Sequence, residues 1–153
     1  MALNKLISIL SILGFLSTNG QGIEFRDLSI GEAIQASTDE GKPIFVDCYT
    51  DWCGPCKWMS ANMFTVDKIG HYYNESFICI KLDMEKGEGV EFAKKHRVRA
   101  YPTLLYLDAD EVELMRAVGA SREVQSYIDY GEIALNPKGN LPYLEANLEG
   151  NYT

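Results

Sequence analysis

Hydrophobic residues form two patterns along the chain, and the two patterns predict different secondary structures. Nearly continuous apolar runs are typical of strands buried on both faces. Such runs predict strands at 43–49, 77–83, 103–107 and 112–118, with a short first strand at 23–26. Apolar positions at helical spacing predict helices at 29–41, 53–63, 66–73, 90–96 and 121–133. This order predicts an α/β fold, with a mixed central sheet of four to five strands flanked by helices.

The two ends of the chain fall outside this pattern. Residues 1–20 contain Lys5 followed by the apolar run 6–16, which is too short to span a bilayer but suits a cleaved signal peptide. An uncleaved anchor or a buried helix is the alternative. Residues 135–153 form a C-terminal tail in which Leu141, Leu144 and Leu148 could line one side of a short helix. The sequence does not decide whether this tail packs on the domain or contacts a partner.

Composition and charge limit the class of protein. The chain has 153 residues, of which 46% are hydrophobic and 24% charged, so it allows one globular domain, predicted at 23–134. Its net charge is −8 (14 − 22), which becomes −9 (13 − 22) if residues 1–20 are removed. An acidic surface argues against a nucleic-acid partner and favours a soluble monomer.

Two cysteines three residues apart are the strongest chemical signal. Cys53 and Cys56 lie where a strand ends and a helix begins, and a helix N-terminus favours an anion such as a thiolate. A zinc site needs four ligands, and the other candidates (Cys48, Cys79, His71 and His96) do not form a second pair. A structural disulfide in so small a ring would restrict little of the unfolded chain. The pair therefore predicts redox activity, without a metal.

Several other residues stand around this pair in an order that resembles the thioredoxin family. They are Asp47 six residues before Cys53, Trp52 directly before it, Lys81 within Lys-Leu-Asp, the run Tyr101-Pro102-Thr103, and Gly119. The resemblance covers about residues 23–134 and implies the thioredoxin fold. The exported context is most similar to thioredoxin-like domains of bacterial envelope redox systems, such as the C-terminal domain of the membrane thiol:disulfide interchange protein.

The resemblance also implies a role for each matching residue. Cys53 would be the nucleophile and Cys56 the resolving thiol, with Asp47 as a buried proton acceptor and Lys81 as the modulator of its proton affinity. Trp52, Tyr101 and Pro102 would bind substrate, with Pro102 in a cis peptide and the Tyr101 backbone pairing with an extended substrate strand.

Two features depart from the family pattern. Ala61 stands where the family usually has a proline five residues after the second cysteine, so the helix kink should be smaller or arise differently. The stretch between Cys56 and Pro102 is a few residues longer than in small thioredoxins. These departures concern substrate-facing details.

The remaining candidates are interpreted as structural. Side chains alternate along a strand, so Asp47 and Cys48 point to opposite faces while Cys79 and Lys81 share one. If Lys81 faces Asp47, then Cys48 and Cys79 lie on opposite sides of the sheet as buried free thiols. His71 and His96 are expected at the surface, whereas Met59, Met63 and Phe64 are expected in the core.

These observations predict an exported, periplasmic or otherwise extracytoplasmic protein-disulfide reductase. It would need no metal or organic cofactor, but it would need an upstream thiol electron donor, for example a membrane thiol:disulfide interchange protein. The Gly-Pro pair between the cysteines is that of reducing thioredoxins, at about −270 mV against about −120 mV for a strong oxidant. That gap of ~150 mV corresponds to roughly 7 kcal/mol. A disulfide oxidase or isomerase, and a non-catalytic binding module, are the alternatives.

Overall fold

The computed structural model describes residues 22–136. The helices are α1 (Ile30–Glu40), α2 (Gly54–Asn62), α3 (Asp67–Ser76), α4 (Gly89–Lys95) and α5 (Val124–Leu135). The strands are β1 (Ile44–Tyr49), β2 (Ile78–Asp83), β3 (Thr103–Leu107) and β4 (Glu113–Val118). The predicted signal peptide at 1–20 and residues 137–153 of the predicted tail lie outside this range.

The four strands form one mixed sheet in the order β2-β1-β3-β4. Strands β1 and β2 are parallel, while β3 pairs antiparallel with both β1 and β4. The sheet is covered on both faces, as the apolar runs predict. One core lies under α1 and α4, and the other lies under α2, α3 and α5. The predicted α/β architecture is confirmed, with four strands.

Local signals for the first helix are also confirmed. Ser29 caps α1 and forms a capping box with Glu32, and Gly41 ends the helix at φ 66°. A left-handed conformation at this position suits glycine because glycine lacks a Cβ.

None of the helices within residues 22–136 is long and apolar enough to cross a bilayer.

The predicted strand at 23–26 is wrong. Residues 22–29, here called the N-terminal segment, run extended beside β2 but do not join the sheet. Among residues 22–136, one backbone contact of this segment resembles a ladder bond, from Arg26 N to Cys79 O at 2.8 Å. The backbone N–H of Ile23 instead donates to Phe64 O, and that of Glu24 to the Asn74 side chain. Most of these hydrogen bonds therefore go to helix and loop atoms, and no regular ladder with β2 forms within residues 22–136.

The surface position predicted for His96 is wrong as well, whereas His71 is exposed as predicted. Only 7% of the His96 side chain is exposed, because its ring packs on Phe92 with ring centroids 4.3 Å apart and faces Glu111 of the β3–β4 turn. Burial lowers the pKa of His96, and the Glu111 carboxylate partly offsets that shift.

Candidate redox site

The two cysteines of the predicted pair lie at the first turn of α2. Cys53 is the N-cap residue, and its sulfur accepts a hydrogen bond from the Cys56 backbone N–H at 3.1 Å. Pro55 occupies the first turn, where its missing N–H costs no helical hydrogen bond. Cys53 and Cys56 form a disulfide, and both residues are almost fully buried, at 2% and 3% exposed.

The N-terminus of a helix is a favourable place for a sulfur that must carry negative charge. The first N–H groups of α2 have no helical acceptor, and the helix dipole is positive at this end. The Cys56 N–H already points at the Cys53 sulfur in the disulfide form. After reduction the same donor can stabilise a Cys53 thiolate.

Asp47 lies on β1 on the sheet face toward α2, and it is completely buried. Its register partner on β2 is Lys81, and the Lys81 ammonium lies 2.9 Å from Asp47 Oδ2. Neither carboxylate oxygen accepts a hydrogen bond from a hydroxyl or an amide within residues 22–136. Burial raises the pKa of Asp47, and the charge of Lys81 partly offsets that effect. The predicted facing of these two residues is confirmed.

A cavity of about 470 Å³ connects Lys81 with the disulfide. It is lined by Tyr49, Thr50, Asp51, Cys56, Lys57, Ser60, Ala61 and Lys81. The hydroxyl of Thr50 is buried and has no hydrogen-bond partner among the described residues. Cys56 and the ion-paired lysine therefore line one cavity, and Ala61, which stands at the position of the family's usual proline, forms part of its wall.

Trp52 and the Tyr101–Pro102 loop form the outer side of the site. Trp52 is 66% exposed, and its ring stands edge-on to Tyr101 with centroids 6.0 Å apart. The indole N–H donates to Glu85 Oε2 at 2.9 Å. The Tyr101–Pro102 peptide is cis, as predicted, and Pro102 O accepts a hydrogen bond from Gly119 N at 2.8 Å. Because Glu85 belongs to the loop between β2 and α4, that loop helps to hold Trp52 beside Cys53.

The other two cysteines are separate from this site. Cys48 packs in the core under α1 and α4, and Cys79 packs in the core on the opposite face. Both are free thiols. Burial raises the pKa of Cys48 well above its ordinary value and raises that of Cys79 to about 12. The prediction of two buried thiols on opposite faces is confirmed.

Three residues near the site were not identified from the sequence. Ser60 accepts a hydrogen bond from the Lys81 ammonium at 2.7 Å, Glu85 holds Trp52, and Phe25 covers Lys81. Ser60 could have been found, since it follows Cys56 by four residues and so shares its helix face. The positions of Phe25 and Glu85 have no comparable signal, because long-range packing sets both.

Comparisons with known proteins agree with this geometry. A family described as thioredoxin-like matches residues 26–109, more than half of the chain. Thioredoxin-1 of Drosophila melanogaster is 36% identical over 74 residues, which are 48% of this chain and 63% of the fly protein. The thiol:disulfide interchange protein DsbD of Yersinia pestis is 30% identical over 98 residues, 62% of this chain but 16% of DsbD. The chain thus matches less than two thirds of the length of either protein.

Solved structures are similar over more of the chain. A Bacteroides thetaiotaomicron protein, provisionally assigned as a disulphide isomerase, is 44% identical with a TM-score of 0.65. That similarity covers 73% of this chain and 94% of the Bacteroides chain. The C-terminal domain of Neisseria meningitidis DsbD, at 19% identity and a TM-score of 0.56, covers 72% of this chain and 97% of that domain, and it shows the shared fold.

Proposed function

The chain belongs to the thioredoxin-like family, and from this premise we propose that it reduces protein disulfides by dithiol–disulfide exchange through Cys53 and Cys56. The observation that carries the proposal is the placement of the pair: Cys53 caps α2, and the Cys56 N–H points at its sulfur. A sulfur held in this way can leave and re-form a bond as a thiolate.

The exchange proceeds in two balanced steps. The Cys53 thiolate attacks one sulfur of a substrate disulfide, forms a mixed disulfide, and expels the other substrate sulfur as a thiolate. Cys56 then loses its proton and attacks the Cys53 sulfur, which releases the second substrate thiolate and closes the Cys53–Cys56 disulfide. The two thiolates take up two protons, so the substrate gains two electrons and two protons in all.

Asp47 is proposed to accept the proton of Cys56. A general base works best when its proton affinity is near the working pH, and burial moves this carboxyl in that direction. Lys81 is proposed to modulate the proton affinity through its ion pair with Asp47. Cys56 and Lys81 line the same cavity, which supports a functional link between the resolving thiol and the ion pair.

Trp52, Tyr101 and Pro102 are proposed as the surface that receives the substrate. An exposed tryptophan held in one orientation supplies a large apolar contact at low entropic cost. Substrates are protein disulfides that present an extended segment beside the disulfide. The acidic chain is proposed to act as a monomer, without a nucleic-acid partner.

The proposed compartment is extracytoplasmic, following cleavage of residues 1–20. The likeness to DsbD supports this setting and supports a membrane thiol:disulfide interchange protein as the electron donor. No metal or organic cofactor is needed for the exchange itself, because the dithiol carries both electrons. A donor must return the pair to the dithiol after each turnover.

A disulfide isomerase is the second candidate, since the Bacteroides relative carries that provisional assignment. An isomerase needs a Cys53 that attacks and then leaves again before Cys56 resolves the adduct, whereas a reductase needs efficient resolution.

The reduction potential separates a reductase from an oxidase. We expect a value near that of thioredoxin, about −270 mV, and a value near −120 mV would overturn the reductase assignment.

Trapping of mixed disulfides tests the catalytic role. With Cys56→Ser, adducts formed through Cys53 should accumulate and should disappear on reduction, and insulin reduction should be lost. The matched control, Cys53→Ser with Cys56→Ser, should trap no adducts. Retention of the same partners by this double variant would instead indicate a non-catalytic binding module.

A further inference from the structure

Besides Asp47, the Lys81 ammonium contacts one hydroxyl and three aromatic rings, which together form a shell around it. It donates a hydrogen bond to Ser60 Oγ at 2.7 Å and lies over three aromatic rings. The centroids of Phe25, Tyr49 and Phe64 are 5.0, 5.3 and 5.5 Å from Nζ. A cation over an aromatic face is attracted by the ring quadrupole. This shell fixes a side chain that would otherwise sample many rotamers.

Ser60 links this shell to the helix of the disulfide. It lies on α2 one turn after Cys56, and both residues line the same cavity. Asp47, the buried partner of the ammonium, accepts no hydrogen bond from a hydroxyl or amide within the described residues. The position of one lysine Nζ therefore controls the electrostatic environment of the carboxyl, and the Ser60 hydroxyl holds that Nζ from the side of α2.

Phe25 reaches Lys81 through the N-terminal segment, which has anchors of its own. Ile23 N donates to Phe64 O at 2.7 Å, and the Asn74 amide donates to Gly22 O at 3.0 Å. Phe25 also packs on Phe64, with ring centroids 5.3 Å apart. It precedes the part of the chain that the family match covers, which begins at residue 26. The ring is therefore supplied by a residue just before the matched region.

From these contacts we propose that Ser60 and Phe25 are positioning residues, which hold the Lys81 ammonium against Asp47 and so set how readily Asp47 accepts the proton of Cys56. The inference rests on the proposed function, since it concerns the resolving step of the same exchange. In that step the proton passes from the Cys56 thiol to the Asp47 carboxylate, and the resulting thiolate attacks Cys53.

The direction of the effect follows from two opposing contributions. Burial raises the pKa of Asp47, and the nearby ammonium lowers it. Loosening Lys81 should therefore raise the pKa further. Within the part of the chain that the structure describes, the other titratable groups around Asp47 and Lys81 are Cys48, Tyr49 and Asp51 from β1 and the turn after it, Cys56 and Lys57 from α2, and Tyr127 from α5. None of these is altered in the variants below.

The direct test is an infrared titration of the protonated carboxyl of Asp47, assigned by difference against Asp47→Asn. In Ser60→Ala the midpoint should rise by about half to one pH unit, because a hydrogen bond that places the cation is lost. Ser60→Thr keeps the hydroxyl and should restore the original midpoint. Thr65→Val is the matched control. Thr65 lies just after α2, and its hydroxyl donates to Ala61 O rather than to a group that contacts Lys81.

Phe25 gives an independent second arm. Phe25→Leu should raise the same midpoint by about half a pH unit, whereas Phe25→Tyr keeps the ring and should not. Circular dichroism of each variant checks that the fold is intact. Midpoints for Ser60→Ala and Phe25→Leu that equal those of wild type and Thr65→Val would overturn the positioning role.

The kinetic arm measures the resolving step against pH by stopped flow, starting from a mixed disulfide on Cys53. The acidic limb of the profile should shift to higher pH in Ser60→Ala, with a rate about fivefold lower on the acidic side of the midpoint and recovery on its alkaline side. The infrared result does not need turnover. An unshifted infrared midpoint therefore refutes the positioning role, whereas a shifted midpoint in a protein that exchanges no disulfides refutes the proposed function alone.

Discussion

Gly70 of α3 packs directly against the backbone of Gly22, so closely that a Cβ at Gly70 would overlap the Gly22 carbonyl. This contact fixes where the N-terminal segment crosses α3. Gly22 itself is in the left-handed region at φ 86°, and a Cβ there would overlap the carbonyl oxygen of Phe64. The two glycines thus allow the N-terminal segment, which carries Phe25, to pack closely against α3 and the turn after α2.

A methyl group at Gly70 should therefore displace that segment. We expect Gly70→Ala to lower the free energy of unfolding by about 1–3 kcal/mol, the usual cost of overpacking. Urea denaturation monitored by circular dichroism measures it. The matched control is Gly31→Ala on α1, where a Cβ meets no atom within 4 Å. That variant should gain about 0.5–1 kcal/mol from helix propensity, and equal effects of the two substitutions would contradict the packing argument.

The buried carboxyl of Asp47 should make stability depend on pH. Because burial raises its folded pKa above the ordinary 3.8, the folded protein retains a proton that the unfolded chain has already released. The stability this contributes is complete below the unfolded pKa and is lost as pH rises through the folded pKa. We expect Asp47→Asn to raise the free energy of unfolding of the oxidised protein by about 1–3 kcal/mol at alkaline pH.

Below about pH 4 the variant and the wild type should converge, since both side chains are then neutral in both states. Urea unfolding across a pH series provides the measurement. Asp27→Asn, at an exposed position, is the control and should change the free energy of unfolding by no more than about 0.5 kcal/mol. A wild-type protein that is more stable than Asp47→Asn at alkaline pH would show that the ion pair with Lys81 outweighs burial.

The four cysteines should differ sharply in alkylation after mild reduction. At neutral pH we expect Cys53 to react with iodoacetamide at least about tenfold faster than Cys48 or Cys79, because its position at the start of α2 favours the thiolate. The two core thiols lie within the packed cores on either face of the sheet, away from a helix N-terminus, and burial raises the pKa of each. Peptide mass spectrometry over time gives the site-specific rates. In guanidinium all four sites should react alike, and persistence of the difference there would refute a structural origin.

Trp52 should matter for protein substrates more than for small ones. We expect Trp52→Ala to raise KM for a protein disulfide about tenfold or more, because an exposed tryptophan beside the sulfur supplies contact area. Its rate with a small aromatic disulfide should change little. Val112→Ala, at the β3–β4 turn, removes another exposed apolar side chain and should change neither. Equal losses on both substrates would show that Trp52 supports the site rather than docks the partner.

Strand alternation shows how far sequence reasoning reaches. Assigning Lys81 to the face of Asp47 also placed Cys79 away from Cys48, and the structure confirms both statements. That inference needed only the period of two along each strand and one facing pair. Its success reflects the strong register of strands buried on both sides.

The two wrong predictions concern positions whose partners come from distant parts of the chain. The run at 23–26 has strand character, but the N–H groups of Ile23 and Glu24 bond to Phe64 O and the Asn74 side chain, so no regular ladder with β2 forms within residues 22–136. His96 follows an amphipathic helix and looked exposed. The β3–β4 turn brings Glu111 over it and buries the ring against Phe92. Both outcomes depend on contacts with residues far away in the sequence, namely Phe64 and Asn74 for the first and Glu111 for the second.

The sequence by itself determined the strand and helix order, the capped start of α1, and a dithiol at a strand–helix junction, because each depends on residues close together in the chain. Only the tertiary structure decided what surrounds the Lys81 ammonium and what supports Trp52. Those contacts join α2, β2, the N-terminal segment and the β2–α4 loop, and packing between elements far apart in sequence sets their distances.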